Sequence, residues 1–252
     1  ASSIASILFN IVKVTGRLDE ALLLADKKVS YNRQAQVGPW TQLADETSRL
    51  QILTLMGKYE DVLYEIAEIR KRVPSLPLPS TPGHTGEEGL DPWQVLEAIL
   101  DIGKMAATYS SQWHIAIDLG AEMDRVQAQR GADILQLTRS RFNNYSALLA
   151  LGNIDDARSL LQECRQIFED KRDIPGLGKV YAAIAELSHI TGDQTAAIAF
   201  ASRSLRYTYE VDEPQDCAIS HNNLTNYLVR QGVNDFRILA HRLAAATIRL
   251  QI

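Results

Sequence analysis

Few residues in this chain are of a type and spacing that could do chemistry. The stretch "DIPGLGKV", residues 173–180, has the look of a phosphate-binding loop. A phosphate loop needs glycine where Asp173 stands, Ser or Thr where Val180 stands, and a preceding strand. All three are missing, so Gly176 and Gly178 are expected to shape a loop entering a helix. "ELSH", Glu186 to His189, has the Glu-x-x-His spacing of di-iron bundles, which also need a second copy and further inward carboxylates. The chain offers neither. His84, His114, His189, His221 and His241 form no HxxxH or HExxH pair, and no GxSxG is present. Asp155-Asp156 sits where a helix should begin, and carboxylates there favour the helix dipole. Glu87-Glu88 lies among prolines and glycines. Neither pair has the geometry for acid/base work. No catalytic residue, cofactor or metal is assigned, and the chain reads as non-enzymatic.

What remains is "SHNNLTNYL", residues 220–228. Asn is a mediocre helix former because its amide competes for nearby backbone groups. Three of them on one helix suggest either a surface that reads a ligand or polar ties between neighbouring elements.

Composition narrows the function classes. The 252 residues are 46% hydrophobic and 23% charged, with a formal net charge of −5. A nucleic-acid binder would need a basic stripe. The one dense basic run, Arg70-Lys71-Arg72, is expected to end a helix and complement its dipole. No apolar run reaches the 18 residues of a membrane helix, and no signal-peptide pattern opens the chain. The two cysteines, Cys164 and Cys217, lie far apart among apolar neighbours. They read as buried free thiols of a reducing, cytoplasmic compartment. The chain opens directly on an apolar helical pattern and stops inside another, so it is expected to be a fragment of a larger protein.

Strand signals are scarce, and long stretches repeat apolar residues at the helical period. They are organised by a repeat. "VTGRLDEAL", "LMGKYEDVL", "YSSQWHIAI", "ALGNIDDAR", "HITGDQTAA" and the looser "VRQGVNDFR" each read as helix, tight turn, helix. The turn residues Gly16, Gly57, Ser111, Gly152, Gly192 and Gly232 are spaced by 41, 54, 41, 40 and 40. The long interval contains a Pro/Gly-rich insertion at 74–91 that cannot be helical. Gly at the turn can take a positive φ. Five residues on, Ala21, Val62, Ala116, Ala157 and Ala197 are small enough to let two helices approach closely. Leu18, Tyr59, Trp113 and Ile154 can plug the closed end of each hairpin. Pro39, Pro92, Pro175 and Pro214 mark the starts of first helices.

The run Asn223, Leu224, Asn226, Leu228, Gly232 resembles the tetratricopeptide repeat (TPR), as do "IAELSHITGDQTAAIAFASRSL", "LGNIDDARSLL" and "TGRLDEALLLA". The period of 40–41 is similar to the long repeats of kinesin light chains and of large bacterial signalling proteins. The resemblance spans nearly the whole chain and implies an all-α superhelix of about six hairpins forming one domain. It further implies a concave groove lined by first helices, with Arg139, Asn143, Lys179, Glu186, Asn222, Asn223, Asn226 and Arg230 facing in. Asn143 and Lys179 match two positions of the family's carboxylate clamp. Asp101, Met105 and Ala183 replace the rest, so no clamp is assigned.

In this light the chain is expected to be a protein- or peptide-binding scaffold or sensor module of a larger bacterial signalling protein. A peptide-pheromone-type regulator and a self-assembling structural solenoid are the alternatives. His221 occupies a packing position, and the apolar last helix could serve a homo-oligomer. "RFNNYSALL", residues 141–149, echoes "SHNNLTNYL" one residue out of register with the glycine turns. If the turn sets the register, Asn144 falls on an apolar position and needs a partner when buried.

Overall fold

A computed structural model describes residues 16–76, 89–211 and 213–251. All regular structure among the described residues is helical, with no strand. The chain divides between Ala132 and Asp133 into two compact units. Residues 1–15, expected to hold the first helix of the first hairpin, lie outside the described residues, as does most of the insertion at 74–91.

The first unit contains α1 (Leu18–Gln34), α2 (Pro39–Leu55), α3 (Tyr59–Arg72), a 3₁₀ turn at Val73–Ser75, α4 (Pro92–Tyr109) and α5 (Trp113–Arg130). The pairs α2–α3 and α4–α5 are the second and third hairpins. Trp40, Leu50, Ile66, Ile99 and Leu119 share one core.

The second unit contains α6 (Ile134–Phe142), α7 (Tyr145–Ala150), α8 (Ile154–Lys171), α9 (Ile174–Ile190), α10 (Gln194–Glu210), α11 (Pro214–Arg230) and α12 (Phe236–Arg249). Successive helices pack in order along this unit, each burying its neighbour's apolar face. Phe168, Leu161 and Val180 fill one core cluster, and Ala197, Ala201, Leu224 and Leu228 a second.

The repeat chemistry sits where the residue types require. Gly57, Gly152, Gly192 and Gly232 have φ between 75° and 88°. Each turn closes with the same two bonds, as in Gly152 N–H to Leu149 C=O and Asn153 N–H to Leu148 C=O. This 5→2 and 6→1 pairing satisfies carbonyls the helix end would leave open. Ser111 takes the same left-handed conformation, φ 59°, without glycine's freedom. Ala21, Val62, Ala116, Ala157 and Ala197 are each no more than 1% exposed. Leu18, Tyr59, Trp113 and Ile154 are the first residues of α1, α3, α5 and α8. Both cysteines are free and buried.

Two local readings need correction. Gly176 and Gly178 are not in a loop; both lie inside α9. A Cβ on Gly176 would overlap Asp173 Oδ2 and lie 2.8 Å from Cγ and Cδ1 of Phe168. Its glycine serves close packing. The other concerns the fourth hairpin, whose first helix is interrupted. It stops at Phe142 and resumes at Tyr145. The one-residue slip between the Asn pair and the glycine turn is absorbed at Asn143–Asn144. The Asn144 Oδ1 atom is enclosed there with no hydrogen-bond partner among the described residues.

Candidate functional site

The second unit carries a groove made of two clefts that share Tyr145, Ala182 and Asn223. The first, of about 250 Å³, is walled by Phe142, Tyr145 and Pro175 on one side and by Tyr207, Val211 and Ile219 on the other. Lys179, Ser204, Ser220 and Asn223 supply polar atoms to its lining, as do Glu213 and Asp216. The second cleft, of about 570 Å³, is lined by Glu186, His189, Asn223, Asn226, Tyr227, Arg230 and Arg242.

Each lining group arrives by helical spacing. Lys179, Ala182 and Glu186 step along one stripe of α9, and Ile219, Asn223, Asn226 and Arg230 along one stripe of α11. The break in the fourth hairpin supplies the aromatic wall: Phe142 ends α6, Tyr145 begins α7, and their rings lie 5.1 Å apart. The Tyr145 hydroxyl donates to Glu186 Oε2 at 3.2 Å. Burial and the Glu186 charge push the Tyr145 phenol well above its ordinary value. The Tyr227 phenol is pushed up to about 12, first by burial and then by Glu186. Both phenols are therefore neutral donors at physiological pH.

The structure brings Lys179, Glu186, Asn223, Asn226 and Arg230 into one groove. The other three predicted residues are placed differently. Arg139 is held in a two-pronged pair with Asp173, Nη2 to Oδ1 at 2.6 Å and Nε to Oδ2 at 3.1 Å. Asn143 is the exposed C-cap of α6, outside the lining, and Phe142 takes the neighbouring inward place. Asn222 is half-buried and also outside the lining. Sequence reasoning missed Tyr145, Tyr207 and Arg242. Tyr145 depends on the helix break. Arg242 comes from a second helix, whereas the repeat register points only to first helices.

Lys179, Asn223, Asn226, Arg230 and Arg242 have no intramolecular side-chain hydrogen bond or ion pair among the described residues. The contrast with the first unit is clear. A cleft there of about 570 Å³ is lined by Arg33, Arg49 and Arg72 with Asp26, Glu46, Glu65 and Glu68. Its arginines are all paired within it: Glu46, 8% exposed, holds both Arg33 and Arg72, and Arg49 holds Asp26 and Glu65. The cations of that cleft are engaged, whereas the groove of the second unit keeps its donors open.

The Glu-x-x-His residues are engaged locally. His189 Nδ1 lies 3.0 Å from Gln194 Oε1, and the Glu186 carboxylate faces Tyr145. No three His, Cys, Asp or Glu residues are grouped for a metal ion among the described residues. None of the described helices is long and apolar enough to cross a membrane.

Helical hairpins closed by left-handed turns, 40 or 41 residues apart except across the insertion, with a buried small residue five positions on in five of six, define a TPR-like solenoid fold. No protein-family model matches the sequence, and no curated protein matches it. Among solved structures the chain is similar to BtubC (BKLC) from P. vanneervenii, at 14% identity over 93% of this chain and 91% of that one, TM-score 0.69. It is also similar to a putative kinesin light chain of Podosopora anserina with nearly identical TPR-like repeats, at 12% identity over 99% and 95% of the two chains, TM-score 0.43. At 14% identity the likeness to BtubC shows the fold alone.

Proposed function

We propose that the chain is a non-catalytic interaction scaffold, and that the groove of its second unit holds an extended segment of a protein partner. The observation that carries this reading is the set of open donors along the groove. An extended peptide presents backbone carbonyls and N–H groups at regular intervals, and an Asn amide can serve both. Asn223 and Asn226 supply such amides on one stripe of α11. Lys179, Arg230 and Arg242 can pair with acidic groups of a partner and Glu213 and Asp216 with basic ones, and the Phe142–Tyr145 wall suits an apolar side chain. A place within a larger bacterial signalling protein is part of the proposal, by resemblance to long-repeat proteins.

The test uses a displayed peptide library as probe. Binders selected on the full chain are measured against Lys179→Ala/Asn223→Ala/Asn226→Ala, with Asn222→Ala as control. The triple variant should lose at least about tenfold in affinity while the control stays unchanged. Equal binding by the triple variant and the native chain would remove the groove from the account.

A second reading rests on α12. Phe236, Leu239, Leu243 and Leu250 lie on one stripe and are each more than half exposed. An apolar stripe of this kind suits a partner surface, including a second copy of the chain. Light scattering across concentrations checks it: a strict monomer counts against self-association.

A further inference from the structure

His221 and His241 form a direct imidazole–imidazole link in the second unit. His221, on α11, is 6% exposed. Its Nδ1 lies 2.8 Å from Nδ1 of His241 on α12, and its Nε2 lies 2.7 Å from the Tyr209 hydroxyl on α10. The rings of the two histidines are 5.0 Å apart. Two nitrogens at that separation are joined by one proton: one ring donates and the other accepts.

This link sits on the face by which α12 packs against α11. Ala245 is its one fully buried residue, with Ile238 half-buried on the same side. His241 falls between them, three residues after Ile238 and four before Ala245, on the stripe facing α11. Neither imidazole has a carboxylate partner among the described residues. The groups acting on the pair are Tyr209 from α10, the opposite imidazole, and Arg237 one turn before His241. Arg237 is itself paired with Asp235.

The proton count then sets the behaviour. A first added proton can reside on the His221 ring, with Tyr209 turning its hydroxyl to accept from Nε2. The Nδ1–Nδ1 bond survives. A second proton puts N–H groups on both facing nitrogens, so the bond is lost and two cations face each other. The pair therefore titrates as a unit.

We propose that the His221–His241 link is a pH-sensitive latch that docks α12 onto α11 at neutral pH and releases it on acidification. Release also withdraws Arg242, the neighbour of His241, from the groove. That consequence rests on the proposed function of the groove; the latch itself does not. Burial holds both imidazoles below their ordinary value, helped for His221 by His241 and for His241 by Arg237. The sign follows: groups with a depressed folded-state value favour docking above about pH 6.5, the free imidazole value, and withdraw that support as pH falls below it.

Hydrogen exchange of the full chain, followed by mass spectrometry and normalised to intrinsic rates, tests the latch without any ligand. At pH 7.5 residues 236–249 should be protected. At pH 5.0 their protection should fall at least about tenfold while residues 174–210 keep theirs. His241→Gln cannot titrate but can still bond His221, so its 236–249 segment should be equally protected at both pH values. Unchanged protection in the native chain, or the same acid loss in His241→Gln, overturns the latch. Should that variant fail to dock at pH 7.5, imidazole nitrogen shifts in the native chain decide. Coupled titration below the free value supports the link, and two independent titrations near 6.5 overturn it. Because no ligand is present, this outcome stands apart from whether the groove binds a peptide.

Discussion

Two glycines in α9, two residues apart, should respond oppositely to the same methyl group. Both are buried and both lie in the stretch that superficially suggests a phosphate loop. A Cβ on Gly178 would sit 3.6 Å from Thr208 Cγ2 and from Tyr207 Cβ, ordinary contact distances. Its carbonyl would still accept from Ser204 Oγ at 2.8 Å. Gly178→Ala gains about 1 kcal/mol from helix propensity and up to about 0.8 kcal/mol from methyl burial. We expect a net stabilisation of roughly 1–1.5 kcal/mol after imperfect fit. At Gly176 the methyl meets Asp173 Oδ2 and the ring of Phe168, which is 1% exposed and has no room to retreat. Overpacking of this kind costs roughly 1–3 kcal/mol, and the propensity gain is smaller in a helix's first turn. Gly176→Ala should therefore destabilise by roughly 1–2 kcal/mol. Chemical denaturation followed by circular dichroism reads the difference, and native-state exchange of residues 154–210 assigns it to this region. If both variants stabilise, or both lose equally, the packing argument fails. Gly176 would then be tolerated for reasons other than close contact.

Further outcomes follow from the same structure. Ser111→Gly relieves a left-handed serine and should stabilise by about 0.5–1 kcal/mol, read as a rise in denaturation midpoint; a fall would mean the serine's own contacts outweigh its backbone cost. Arg139→Ala leaves the Asp173 carboxylate, whose side chain is 4% exposed, without its partner. Because Arg139 is itself half exposed, the loss should be about 1–2 kcal/mol. It should be smaller when Asp173 is already alanine, which a double-mutant cycle measures. Glu186→Gln removes a charge that raises the Tyr145 and Tyr227 phenols. In the tyrosinate absorbance titration the Tyr227 step, at about 12 in the native chain, should move down while staying above the ordinary phenol value. An unmoved titration would place Glu186 too far from both rings to matter.

The sequence by itself determined the repeat. Ala21, Val62, Ala116, Ala157 and Ala197 stand where two helices press together, and Pro39, Pro92 and Pro214 open α2, α4 and α11. These features are local: a positive φ, a missing N–H or a small side chain constrains the chain within a few residues, so residue type alone reveals it. The stripe of Lys179, Glu186, Asn223, Asn226 and Arg230 was legible for the same reason, because spacing on one helix fixes its face. Only the tertiary structure decided what lies across from each face. It gave Arg139 to Asp173, broke the fourth hairpin at Asn143–Asn144 so that Phe142 and Tyr145 wall the groove, and brought Arg242 from the last helix to its edge. It also turned His221 from a packing residue into the middle of a Tyr209–His221–His241 chain. Those partners are 12 and 20 residues away on separate helices, and no periodicity within one helix can specify a meeting between three.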